Sequence, residues 1–175
     1  MELNERVAKR YLSAYRKGDI EIKVDTPEDR DANFSVGLYR GDSHVGWCEA
    51  HVEAYTIHEL EDFNCYKDIM SVTATWLADM EEATNAVTGV EGILVVEVVS
   101  SELEESLQGK KCGYQMYLKL IQEVYKEYGR IPFVFIPNYC HNRSTSDEAL
   151  RVWASFARKY PSEGDVILIT RYPNR

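Results

Sequence analysis

The run Ile93-Leu94-Val95-Val96-Glu97-Val98-Val99 constrains this chain more than any other segment. It is almost entirely aliphatic and does not alternate apolar with polar residues. A strand of that kind is covered on both faces, so chain must pack on either side of the sheet that holds it. The residues C-terminal to it can supply such cover. After a charged turn, Tyr117, Leu120, Ile121, Val124 and Tyr128 recur at helical spacing in a helix from about Cys112 to Tyr128, ended by Gly129. Ile131–Ile136 is a second buried strand, stopped at Pro137. Thr145 and Glu148 form a capping box for a helix to Tyr160 whose inner face is Leu150, Trp153, Phe156 and Ala157. Pro161 and Gly164 stop it, and Val166–Ile169 is the last strand. Strand–helix–strand order implies parallel crossovers in this half of the chain.

The other half reads as antiparallel. The first sixteen residues carry helical spacing in Val7, Tyr11 and Tyr15, and Gly18 stops them. Asp19–Val24 alternates Ile20, Ile22 and Val24 against charges, and Thr26–Asp31 is a loop around Pro27. Phe34, Val36 and Leu38 alternate up to the turn Gly41-Asp42-Ser43, and a second alternating run leads from Val45 through Trp47 to Ile57, which makes a hairpin. From Tyr66 to about Thr84 the period is helical, with Ile69, Val72, Trp76, Met80 and Ala83 on one face. The order α-β-β-β-α-β-α-β-α-β predicts a mixed α/β fold: one sheet, helices on both faces, and a single domain over residues 1–175.

With 28% charged residues and 45% hydrophobic ones, a chain of 175 residues has material for one core. Its formal net charge of −9 argues against nucleic-acid backbone or an anionic membrane as partner, since both need a basic face, and it suits a cationic partner. No apolar run approaches the roughly 20 residues of a membrane span, and Met1 to Arg10 is mostly polar, so a cytoplasmic location is expected. Cys48, Cys65, Cys112 and Cys140 are far apart without a CxxC pair, and four free thiols are expected. His44, His51 and His58 recur every seven residues. On a strand that spacing alternates faces, so no metal site is expected.

The segment Gln108-Gly109-Lys110-Lys111-Cys112-Gly113 places two glycines and two lysines where a helix begins after the buried strand. Amides at a helix N-terminus attract anions, glycine admits a diphosphate close to the backbone, and lysine adds charge. This arrangement resembles the GNAT family of acyl-CoA-dependent N-acetyltransferases, whose cofactor motif is Gln/Arg-x-x-Gly-x-Gly/Ala. Gln108, Cys112 and Gly113 fall in register, while Lys111 stands at the position of the first glycine. The strand ending Val-Val-Ser-Ser, the bulky helix opening at Tyr114 and the segment Ala149-Leu-Arg151-Val152-Trp153 are similar to the family as well. The likeness is clearest from Ile93 to Ile169.

The resemblance implies a three-layer αβα fold around a central, mostly antiparallel sheet, with acetyl-CoA as co-substrate and no metal. The thioester carbonyl would meet backbone amides of Val98, Val99 and Ser100. The diphosphate would lie on Gln108, Gly109, Lys110, Lys111, Cys112, Gly113 and Tyr114, and Ser146 takes the place of a pantetheine contact. Glu97, the one charged residue in its strand, is the expected base, its pKa raised by burial. The family's usual acid falls in register on Trp153, whose indole cannot serve, which leaves Tyr160 or Tyr139. The acceptor would be a primary amine: a Lys side chain, a protein N-terminus, a polyamine or another small amine. A homodimer is compatible with the family. The alternative is a noncatalytic module of the same fold that binds a protein as inhibitor or regulator.

Overall fold

The computed structural model describes residues 20–137, residue 149, residues 151–154 and the backbone of 166–168. The apolar run forms the middle of one six-stranded mixed sheet whose strands lie side by side in chain order. β1 (Ile20–Asp25), β2 (Phe34–Arg40), β3 (Ser43–Thr56) and β4 (Gly92–Leu103) are antiparallel neighbours. β5 (Phe133–Pro137) and β6 (Val166–Leu168) continue the sheet in parallel. Expectation and structure agree on a mixed α/β fold with an antiparallel start passing into parallel crossovers.

Each face of the sheet buries its own apolar cluster. Val36, Leu38, Cys48, Ala50, Val52, Leu94, Val96, Val98, Phe133 and Phe135 pack under α4 (Cys112–Tyr128). Ile93, Val95, Val134 and Ile136 pack under the chain that links β3 to β4, through Leu60, Phe63, Ile69 and Met80. That link holds α1 (Ile57–Leu60), α2 (Tyr66–Thr73) and α3 (Leu77–Thr88). Double coverage is why β4 is buried continuously from Gly92 to Val99.

Three readings need correction. The single helix expected from Tyr66 to Thr84 is two helices, broken at residues 74–76. Thr73 bends the chain there: its hydroxyl, fully buried, donates to the Ile69 carbonyl at 2.7 Å, a back-bond that distorts a helix. Val72 and Trp76 therefore leave the inner face and are 37% and 40% exposed, while Ile69 and Met80 stay buried. The strand expected to reach Ile57 ends at Thr56, which caps α1: its side chain accepts from Glu59 N–H, and the Glu59 carboxylate accepts from Thr56 N–H. Cysteine chemistry also departs from four free thiols. Cys48 and Cys112 are free and buried, but Cys65 is disulfide-bonded, a pairing that spacing along the chain does not reveal. The N-terminal helix, Cys140 and most of the helix expected from Thr145 to Tyr160 lie outside the described residues.

Candidate functional site

Two β-bulges shape the face of the sheet opposite α4. In β3, Leu38 pairs with Gly46 but Tyr39 with His44, so Val45 is an extra residue. The bulge reverses the alternation, and His44 joins Trp47, Glu49 and His51 on one face. The expected alternation of His44 and His51 between faces is thereby overturned. In β4, Ala50 pairs with Val98 and Glu49 with Ser100, so the register passes over Val99. The bulge falls where the parallel ladder to β5 ends, at Val98 opposite Pro137, while β4 runs on along β3 to Leu103. Of the residues expected to meet a thioester, Val98 and Val99 are buried and Ser100 is half-buried.

The loop from β4 to α4 is tightly turned. After the 3-10 turn Glu105–Leu107, Gly109 has φ 72° and Lys111 has φ 65°. Lys111 is the one non-glycine residue with positive φ among the described residues. It caps α4, whose first turn closes with Gln115 N–H donating to Lys111 O at 3.1 Å. The N-terminal amide dipoles of α4 are thus directed at a loop that carries two lysines, Lys110 and Lys111, both exposed. Gly113 sits where a Cβ would press to 3.1 Å from Val152 Cγ2, so this position lets the helical residues 151–154 approach α4. The Gln108 side chain donates to Leu103 O at 3.4 Å, a long bond that ties the loop back to the end of β4. Glu104 is drawn to the edge of β2 by Arg40, with Nη1 to Oε1 at 3.4 Å, and accepts from the Ser106 hydroxyl.

Two cavities open on the bulged face. One, of about 460 Å³, is lined by His51, Tyr55, Glu97 and Val99 of β3 and β4 and by Arg30–Asn33 of the β1–β2 loop. Glu97 is 3% exposed and lies across the ladder from His51, whose Nε2 is 2.7 Å from Glu53 Oε2. Burial, then the nearby Glu53 and Glu97 carboxylates, push the Tyr55 phenol far above its ordinary range, so it keeps its proton. The second cavity, of about 500 Å³, lies beside the first and is lined by Asp25, Glu28, Asp29, Tyr39, His44, Trp47, Glu49 and Ser100, among others. The β1–β2 loop contributes to both. It is clipped to the sheet by the Glu49 carboxylate, which accepts from Glu28 N–H at 2.7 Å and Asp29 N–H at 3.0 Å.

The structure therefore brings Glu97 and Val99 together at one opening and arranges Gln108 to Tyr114 as a continuous loop and helix start. Tyr139, Ser146 and Tyr160 lie outside the described residues. Trp153, in register with the family's acid, is 1% exposed and packs against Tyr117 and Phe135 at ring separations of 5.1 and 4.7 Å, which makes it core. Sequence reasoning misses Glu49, Tyr55 and the second cavity. The signal for them is the run from Trp47 to Tyr55, in which every second residue carries a polar or aromatic group onto one face.

Fold and openings together define a mixed α/β protein with a loop-to-helix junction and two adjoining cavities on one side of its central strand. Among the described residues, no helix is long and apolar enough to cross a membrane. Comparison with protein families, with curated proteins and with solved structures finds no match to this chain.

Proposed function

We propose that the chain is an acyl-CoA-dependent N-acetyltransferase of the GNAT type that moves an acetyl group from acetyl-CoA to a primary amine. The observation that carries this reading is Lys111. A lysine occupies the glycine position of the cofactor motif, yet its backbone takes the left-handed conformation a glycine would take there. The tight turn that admits a diphosphate to the start of α4 is kept, and an ammonium is added to it. The β4 bulge at Val99 supports the same reading, because it lies beside Glu97 at the end of the parallel ladder.

In this reading the diphosphate rests on the loop from Gln108 to Gly113 and the pantetheine arm runs along β4. The thioester carbonyl meets the backbone near Val98 and Val99, where an oriented N–H donor in a dry site contributes roughly 3 kcal/mol. Glu97 takes the ammonium proton of the acceptor, directly or through water. The free amine attacks the carbonyl carbon, the carbon–sulfur bond breaks, and Tyr139 or Tyr160 gives a proton to the thiolate. The second proton, lost from the acylated nitrogen, restores that tyrosine by way of water. The three-layer arrangement of the family and a cytoplasmic location belong to the same proposal. A homodimer is compatible with it.

Calorimetry with acetyl-CoA, followed by a thiol-release assay over a panel of amines, tests the proposal. Micromolar binding that is lost when Lys110 and Lys111 are changed to Glu is expected; no detectable binding overturns it. Glu97→Gln is expected to keep cofactor affinity and lose rate by at least about tenfold. A loss of less than about threefold removes Glu97 from the base role.

A further inference from the structure

The cavity beside Glu97 accounts for an acceptor's reacting nitrogen, but the adjoining cavity of about 500 Å³ has no part in that chemistry. Its size is that of a small-molecule site. Three rings form one wall. Tyr39 stacks on His44 at 4.8 Å, and His44 lies 5.5 Å from Trp47, whose indole N–H donates to Ser100 Oγ at 3.2 Å and so fixes the ring at the β4 bulge. Beside them is negative charge. Asp25 Oδ2 accepts from the Tyr39 hydroxyl at 2.8 Å and lies 3.6 Å from His44 Nε2. The hydrogen bond to Asp25 holds the Tyr39 phenol above its ordinary range, so this ring keeps its proton. Among the described residues, Glu49, 4% exposed, accepts from backbone N–H groups and not from a cationic side chain. Gly37 lets these side chains close over the strand: a Cβ there would collide with Asp25 Oδ2, Tyr39 and His44.

The Tyr39 ring is stacked on His44 and already holds Lys23 Nζ at 5.1 Å, so the ring that remains for a ligand is Trp47. There, with carboxylates near it, an organic cation gains from both the aromatic quadrupole and the charge. We propose that this cavity binds a second ammonium of the acceptor, and that the acceptor class is a short oligoamine. The inference rests on the transferase reading for the role of the neighbouring cavity. Glu49 and His51, which line the two cavities, are consecutive positions on one face of β3, about 7 Å apart. A short alkyl chain between two nitrogens covers that distance.

The test is calorimetry at physiological salt with spermidine and with butylamine as probes, on the full chain without acetyl-CoA. Spermidine is expected to bind at least about tenfold more tightly than butylamine. Trp47→Ala is expected to remove roughly tenfold of that affinity, while acetyl-CoA binding is unchanged. Glu28→Gln, an exposed side chain at the rim whose backbone bond to Glu49 persists, is expected to weaken spermidine by about threefold and leave the fold intact. Equal affinity for the two amines, or spermidine affinity within about twofold of the parent chain in both variants, overturns the proposal. The two readings fail separately. Acetyl-CoA binding and thiol release with monoamines, without a preference for spermidine, remove the second cavity alone. Spermidine binding without acetyl-CoA binding removes the transferase and leaves a cation-binding protein.

Discussion

The conformation of Lys111 can be tested by comparing two substitutions that differ by one methyl group. At φ 65° a residue with a Cβ crowds its own carbonyl, which costs roughly 1 kcal/mol relative to glycine. At an ordinary position the preference reverses, because glycine loses more backbone entropy on folding and costs about 0.5–1 kcal/mol relative to alanine. Lys111→Gly and Lys111→Ala both delete the ammonium and the same stem, so charge and side-chain packing cancel between them. Lys111→Gly is expected to be the more stable by about 1 kcal/mol, which for a chain of this size is a difference of about 2–4 °C in Tm. Urea unfolding with equal slopes for the two variants measures it. On the proposed function both are expected to bind acetyl-CoA several-fold more weakly than the parent chain, and to the same extent, since the lost group would be an exposed cation near phosphate. If Lys111→Ala is as stable as Lys111→Gly, the left-handed turn is wrong, and with it the observation on which the proposed cofactor site rests.

Other consequences are independent of the function. Trp153→Ala empties a site walled by Tyr117 and Phe135 and is expected to cost about 3–5 kcal/mol in chemical denaturation; a loss below about 1 kcal/mol would contradict its place in the core. Burial pushes the Glu123 carboxyl up, but Lys119 and Lys126, each with Nζ 2.7 Å from Oε1, outweigh it and hold it below its ordinary value. A depressed folded pKa gives stability that is present above the unfolded value and lost as pH falls through the folded one. The stability difference between the parent chain and Glu123→Gln is therefore expected at neutral pH and expected to vanish in acid, and a difference that grows on acidification would contradict the pairing. With Cys65 in a disulfide, the denatured chain is expected to titrate fewer than four thiols before reduction and four after it; four in both states removes the bond.

Much of the fold is legible in the sequence because it is written in periods. α4 is legible at its observed bounds, since its apolar stripe is uninterrupted and Gly129 ends it. β1 and β2 show themselves by strict alternation. The failures are local bonds that leave periodicity intact. Thr73 suits a continuing helix until its hydroxyl is seen to take the Ile69 carbonyl. The two bulges leave even less trace. Val45 stands next to a glycine and Val99 next to another valine, so in each case an added apolar residue reads as more of the same strand. Yet those two residues decide which side chains share a face. Without the bulge at Val45, His44 would point away from Trp47; without the one at Val99, Ser100 would not reach the Trp47 indole.

The site is half legible for a related reason. Glu97 stands out as an acid within an aliphatic run, and sequence alone marks it. Glu49, equally buried at 4% against 3%, sits in an alternating strand where an acid usually faces water. What buries it is the β1–β2 loop, whose Glu28 and Asp29 amides converge on its two oxygens. This contact joins residues some twenty positions apart and has no local signature. The two buried carboxylates therefore have different parts. Glu49 holds the loop that walls both cavities, and its remaining charge faces one of them; Glu97 lines the other, on β4 beside the bulge. Removing the Glu49 carboxylate would release the shared wall and disturb both openings. Removing that of Glu97 would leave the clip between Glu49 and the loop in place, so Glu97→Gln perturbs one opening while Glu49→Gln would disturb both.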